Sequence, residues 1–263
     1  MISGDLTLTS NNSQLTNVCE NLDWKRQYGL HLWYKCLPIN SIHDSIISFE
    51  QSLANNSVAQ PLPPYLEDTV TSDSKHNQPG PLFDTCFHLI KLYCNDKHPI
   101  ADTVAPLSHN PNQLDYRLSW HLAMALVSLG YNSVSSECLE SLHESYANQL
   151  QSIGLWHWSV FVLMHLADGK RRESAVRGYL SRYVTAESEL STSEKFVVEK
   201  LAVPREWVYG LKAQRAKYEH KYENQFKLLV AAHKWNEAHS VLVELLAPDL
   251  FIKSESSLLN FSG

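Results

Sequence analysis

The sequence predicts an all-α protein, an irregular α-solenoid of stacked antiparallel helix pairs, on three observations. Apolar residues recur at three- and four-residue spacing over most of the chain, and no Val/Ile/Thr-rich alternating run marks a sheet. Two stretches 79 residues apart also repeat one helix-packing signature. In the first, Trp156, Ser159, Val162 and Leu163 precede an Asp-Gly break; in the second, Trp235, Ala238, Val241 and Leu242 precede Ala-Pro. Each sets an indole, a small residue and two aliphatics along one stripe, as close helix pairing requires. A separation near 80 fits two units of about 35 to 47 residues, the range of two-helix solenoid repeats.

Residues 1–20 are rich in Ser, Thr and Asn, lack periodicity, and are expected as a flexible arm. Residues 21–252 are expected as the helical solenoid segment, and 253–263 as a divergent, flexible end. The first helix begins at Asp23, with Trp24, Tyr28, Leu32 and Cys36 four apart, and ends at Pro38. Ser41 is a candidate N-cap with Asp44 three residues on, opening a helix that carries Ile42, Ile46, Ile47, Phe49 and Leu53. A Pro-rich loop follows over about 55–80, with at most one short turn near Tyr65. A helix over 81–95 then starts at Pro81 with Leu82, Cys86, Leu89, Ile90 and Tyr93 on one stripe. The second Pro-rich loop spans about 96–113.

Beyond it the breaks are short. Helices are predicted over 114–129, ended by Gly130; 134–151; 154–167, ended by Asp168-Gly169; and 171–184. Ser191 and Glu194 form a capping pair for 193–202, and Pro204 opens 204–218. The last pair is 221–232, with Tyr222, Phe226, Leu229 and Val230 in register, and 235–246, stopped by Pro248. Connections of two to six residues force neighbouring helices antiparallel.

The formal charge of −6 gives no general pull toward nucleic acid or anionic membrane and disfavours a nonspecific polyanion binder; specific nucleic-acid binding is not expected, nor, for want of a long apolar run, is membrane insertion. Cys19, Cys36, Cys86, Cys94 and Cys138 are odd in number and scattered, which suits reduced thiols in a cytosolic or nuclear compartment. The first 20 residues lack the basic and apolar regions of a signal peptide. The most apolar run, Leu155 to Leu166, falls short of the roughly 20 residues a membrane span needs. Sequons at Asn11, Asn55 and Asn260 carry no weight without secretion.

Few residues suggest chemistry, and no catalytic, cofactor-binding or metal site is assigned. Cys86, His88, Cys94 and His98 are the best metal-ligand candidates, yet they miss the C-x2-C and H-x3-5-H spacings of zinc sites, and buried thiols explain the cysteines equally well. His43-Asp44 is a dyad at a helix start, where capping alone calls for Asp. No G-x-S-x-G, H-E-x-x-H or Gly-rich phosphate loop is present. Lys170, Arg171, Arg172, Arg177 and Arg182, interleaved with Tyr179 and Tyr183, are read as a solvated face opposing the acidic link around Glu187, Glu189 and Glu194.

Five stretches, in collinear order over about residues 22–252, resemble the nucleoporin 96 family, the C-terminal products of the nucleoporin 98-96 precursor. They are LDWKRQYGLHLWYKCLP (Leu22 to Pro38); LPPYLED with FDTCFHLIKLY (Leu62 to Asp68, Phe83 to Tyr93); LDYRLSWHLAMAL (Leu114 to Leu126); YANQLQSIGLWHWSVFVLMHL (Tyr146 to Leu166); and KLAVPREWVY running on to AAHKWNEAHSVLVELLAPD (Lys200 to Asp249). The resemblance implies a non-catalytic, cofactor-free α-solenoid scaffold in the Y-shaped subcomplex of the nuclear pore, supporting nucleocytoplasmic transport and mRNA export. It further implies a sister solenoid of the nucleoporin 107 type as partner. The family also completes a β-propeller with N-terminal strands; the arm shows none by pattern, so that partner is set aside. The family's helical tail continues where this chain turns to FIKSESSLLNFSG, and the precursor's Phe-Gly repeats and self-cleaving domain are absent from these 263 residues. A vesicle-coat or peptide-binding helical-repeat adaptor shares the fold, and a metal-dependent all-α enzyme is the remaining reading.

Overall fold

A computed structural model describes residues 7–9, 15–17, 22–35, 41–67, 82–131 and 134–252. Among them the fold is all-α, with thirteen α-helices and one minimal hairpin. The chain gathers into two compact units, residues 1–142 and 143–263.

The hairpin pairs β1 (Thr7–Thr9) with β2 (Leu15–Asn17), antiparallel, Leu8 opposite Thr16. Three residues per strand are too few for alternation to stand out in the sequence. The ground on which the β-propeller partner was set aside, an arm without strands, therefore does not hold. The fold class is untouched.

The rest of the first unit comprises α1 (Trp24–Leu30), α2 (Ile42–Ala54), α3 (Pro64–Glu67), α4 (Thr85–Cys94), α5 (Ile100–Thr103) and α6 (Arg117–Ser128). Asp23 caps α1 by accepting from the Arg26 N–H at 2.7 Å. The helix then widens into a π-turn, His31–Lys35. At α2 the predicted capping box is complete: Ser41 Oγ accepts from the Asp44 N–H, and Asp44 Oδ2 accepts from the Ser41 N–H at 3.0 Å. Trp24, Tyr28, Ile46, Phe49 and Phe87 form the core. Its rings meet edge to face, Trp24 on Phe87 at 5.8 Å and Tyr28 on Phe49 at 5.4 Å. The turn foreseen near Tyr65 is α3, held by Tyr65 Oη donating to the Leu107 carbonyl at 2.6 Å.

Two boundaries move. The helix expected from Pro81 starts at Thr85, because Asp84 accepts from the Cys86 N–H at 2.7 Å and supplies a stronger start than Pro81, which lies outside the described residues. The loop expected over 96–113 contains α5 and a 3₁₀ turn, Pro106–Ser108, built around the buried Ile100 and Val104. Cys36 and Pro38 lie outside the described residues, as do residues 1–6, 18–21 and the expected flexible end, 253–263.

The second unit begins within α7 (Ser136–Ser152) and continues through α8 (Trp156–Leu163), α9 (Gly169–Tyr183), α10 (Thr192–Glu199), α11 (Arg205–Tyr218), α12 (Tyr222–Ala231) and α13 (Trp235–Val241). Helices α8 and α9, α11 and α12, and α12 and α13 pack as successive pairs. Ala186, Ala213, Ala216, Leu228, Leu229, Ala238 and Val241 fill the core of the last three, the small residues letting the backbones close up. Ser159, the small residue of the first signature, is fully buried and donates to the Ala147 carbonyl at 2.8 Å.

The tight reversals after α11 and α12 share one solution. His220 and His233 adopt φ of 55° and 58°, and the following N–H groups of Lys221 and Lys234 reach back to the Ala216 and Leu229 carbonyls at 2.9 Å. Asp168 opens α9, accepting from the Lys170 N–H, where the sequence had suggested that Asp168-Gly169 closes the preceding helix. Nor does Pro248 stop the last helix. A π-turn over Leu242–Leu246 widens the coil, and the helical path runs on through 247–252. The wider turn relieves the clash a proline ring makes with the carbonyl four residues back and redirects the ladder, the Ala247 N–H bonding to the Leu242 carbonyl.

Candidate functional site

His88 and His98 come together: His88 Nδ1 lies 2.9 Å from His98 Nε2, with the rings stacked at 5.2 Å. Burial, with His98 beside it, pushes the His88 imidazole down to about 4, and burial lowers His98 as well. Cys86 is exposed and Cys94 half-buried, and burial raises both thiols. Among the described residues no group of three or more His, Cys, Asp or Glu side chains is arranged to hold a metal ion. The four sequence candidates thus divide into a hydrogen-bonded imidazole pair and two separate thiols. In His43-Asp44, the carboxylate belongs to the α2 cap and His43 faces solvent.

The basic cluster does not oppose the acidic link. Arg177 pairs with Glu173 at 2.8 Å and sits over the Trp207 ring at 4.7 Å; Arg171 reaches Glu144; Arg172 donates to the Leu166 carbonyl. The acidic link answers other helices. Glu187 pairs with Lys221 of the α11–α12 turn, and Glu194 pairs with Lys212 of α11 at 2.6 Å, both side chains of the latter pair fully shielded. Summed charge along the sequence predicted attraction but not its address, because Lys212 lies 18 residues from Glu194.

Glu194 therefore does two jobs. Its Oε2 accepts from the Ser191 N–H at 2.7 Å, completing the α10 capping box, and from Lys212 Nζ; its Oε1 accepts from the Thr185 N–H at 3.0 Å. Burial pushes this carboxyl up, but the Lys212 ammonium and the Thr185 and Ser191 N–H groups outweigh it, and the net direction is down. Lys212 spends its remaining donors on Thr185 Oγ1 and the Glu189 carbonyl, both at 3.0 Å. The capping pair was legible in sequence; the buried cation was not.

Large apolar side chains also reach the surface in rows. In the first unit, Trp33 of the π-turn is 75% exposed, and Tyr28, Leu32, Ile42, Leu89, Ile90 and Tyr93 line a groove of about 360 Å³. In the second, Leu155 just before α8 and Trp158 on it stand out, and Leu242, Val243, Leu245, Leu250 and Ile252 follow one another along the last helical stretch. The two signature indoles part company here. Trp156 is half-buried and stacks on Tyr183 with rings 5.4 Å apart and 2° from parallel, whereas Trp235 is 59% exposed. No helix among the described residues is long and apolar enough to cross a membrane.

Paired helices with ion pairs directed to structure, and with apolar rows left on their outer faces, define a helical-repeat protein that offers extended surfaces. The chain belongs to the nuclear protein 96 family, whose model matches residues 1–215. It is 32% identical over 263 residues to the nuclear pore complex protein Nup98-Nup96 of Drosophila melanogaster, covering 99% of this chain and 13% of that protein. The protein of the same name from Dictyostelium discoideum is 29% identical, with 91% and 12% covered. The nuclear pore complex protein NUP96 of Arabidopsis thaliana is 25% identical, with 90% and 23% covered. The chain thus spans less than a quarter of the length of these relatives.

Proposed function

We propose that this chain is a structural scaffold nucleoporin of the nuclear pore complex, resident at the nuclear envelope. It works without catalysis, in the Y-shaped subcomplex, and supports nucleocytoplasmic transport, mRNA export and pore assembly. The reading rests on membership of the nuclear protein 96 family, whose curated relatives carry nuclear pore names across the length of this chain. The mechanism is geometric: within each unit packed helix pairs present apolar rows, and those rows dock on other helical proteins, a nucleoporin 107-type solenoid foremost.

Affinity capture of the tagged chain from cells that express it, with the recovered proteins identified, tests this reading. Recovery of Y-complex nucleoporins together with fluorescence at the nuclear rim is the expected result. Recovery of vesicle-coat components alone, with no rim signal, overturns it.

A further inference from the structure

The link between α9 and α10 is bound at almost every residue. Val184 and Ala186 are buried, the Ala186 carbonyl accepts from Asn224 at 3.2 Å, Glu187 pairs with Lys221, and the Glu189 carbonyl accepts from Lys212. One exposed residue of this strap reaches the interior through its hydroxyl. Thr185 is exposed, yet its Oγ1 accepts from Lys212 Nζ at 3.0 Å and lies 3.5 Å from Glu194 Oε1.

We propose that Thr185 is a phosphorylation site through which an acid-directed protein serine/threonine kinase releases the link from α11. Three observations carry this. Thr185 is an exposed residue on irregular backbone, the kind of segment a kinase groove accepts once its hydroxyl turns outward. Glu187 and Glu189, both exposed, follow it at the second and fourth positions and complement a basic groove. The same hydroxyl touches both members of the fully shielded Glu194–Lys212 pair, so charge placed there acts on the interior.

In the transfer, Thr185 Oγ1 attacks the γ-phosphorus of ATP. The new O–P bond forms as the bond to the β-phosphate oxygen breaks, ADP leaves, and the hydroxyl proton passes to the kinase's base. The product carries about two negative charges at Oγ1. Lys212 Nζ already has its three donors committed to Thr185, Glu189 and Glu194. A phosphoryl group beside it draws the ammonium outward and sets like charge against Glu194, which is left buried with its counter-ion withdrawn. Ser191 is committed to the α10 cap, and phosphate on Ser188 would stay in solvent.

This inference stands independently of the pore assignment. The full chain is incubated with an acid-directed serine/threonine kinase and Mg-ATP, the modified residue is located by mass spectrometry, and amide exchange is compared with and without phosphatase treatment. Phosphate on Thr185 is expected, with amides of 184–191 and α11 exchanging about tenfold faster or more, and returning to baseline after dephosphorylation. Thr185→Val, whose unphosphorylated exchange supplies its own baseline, removes the acceleration, whereas Ser188→Ala retains it. Phosphate confined to other hydroxyls overturns the proposal. So does phosphorylated Thr185 with exchange unchanged or slowed.

Discussion

Lys212 Nζ lies 2.6 Å from Glu194 Oε2, and neither side chain has any exposed surface. The pair joins α10 to α11 and, through Thr185 and Glu189, closes the preceding α9–α10 link against α11. Removing the cation alone leaves a desolvated carboxylate. Lys212→Met is expected to cost about 3–5 kcal/mol in chemical denaturation, and adding Glu194→Gln to recover much of that loss. Equal losses for the single and double variants would show that the two charges are not coupled.

The same pair gives an acid dependence. The Glu194 carboxyl is held below its ordinary value in the folded chain, so its contribution is fully present above the unfolded carboxylate value of 4.5 and is lost as pH falls through the lower, folded one. Denaturation midpoints of the wild type should decline below pH 4.5 more steeply than those of the Lys212→Met, Glu194→Gln double variant.

A second acid effect lies higher in pH. His31 is fully buried, neither ring nitrogen has a hydrogen-bond partner among the described residues, and burial, with Lys35 nearby, pushes it down to about 4. The unfolded chain takes up this proton near 6.5 and the folded one only near 4. Stability is therefore complete above pH 6.5 and falls by about 3 kcal/mol per such group by pH 4. His31→Phe should flatten the pH 4–6.5 slope of first-unit unfolding, read by amide exchange. His88, also pushed to about 4 by burial, keeps a residual slope in that unit, and His143, pushed as far, gives the second unit a slope of its own.

The two signature tryptophans should respond differently. Trp156→Ala removes a half-buried ring stacked on Tyr183 and is expected to cost about 1–3 kcal/mol. Trp235→Gln, at an exposed position, should change stability by less than about 0.5 kcal/mol. Thermal unfolding of both variants decides between a shared packing role and this division.

Ser41→Ala removes the hydroxyl that accepts from the Asp44 N–H, leaves the backbone N–H of residue 41 bonded to Asp44 Oδ2, and should cost about 1 kcal/mol. Urea denaturation followed by circular dichroism measures it.

These cases mark what a sequence exposes. Ser41 with Asp44, and Ser191 with Glu194, were legible because a cap is decided within four residues. The αL reversals at His220 and His233 are equally local, but histidine marks such a turn less strongly than glycine, so those helices were placed without their turns; the cap at Asp84 uses a strongly capping residue and was masked by Pro81, an alternative start three residues earlier. Lys212 was illegible as the partner of Glu194, since tertiary packing alone selects it from the chain's lysines. Trp156 and Trp235 read alike because a motif records spacing and not what stands opposite each ring. The cysteine and histidine candidates shared one helix and the loop after it, and the backbone brought only His88 and His98 within bonding distance.

The π-turn at Leu242–Leu246 adds one residue to a single coil. That insertion advances every later side chain by roughly 100° of azimuth. Leu250 and Ile252 consequently point along a bearing that uninterrupted counting from Trp235 would assign to their neighbours. Deleting one residue within 242–246 would rotate this terminal row back, changing which direction it addresses while leaving its composition nearly the same.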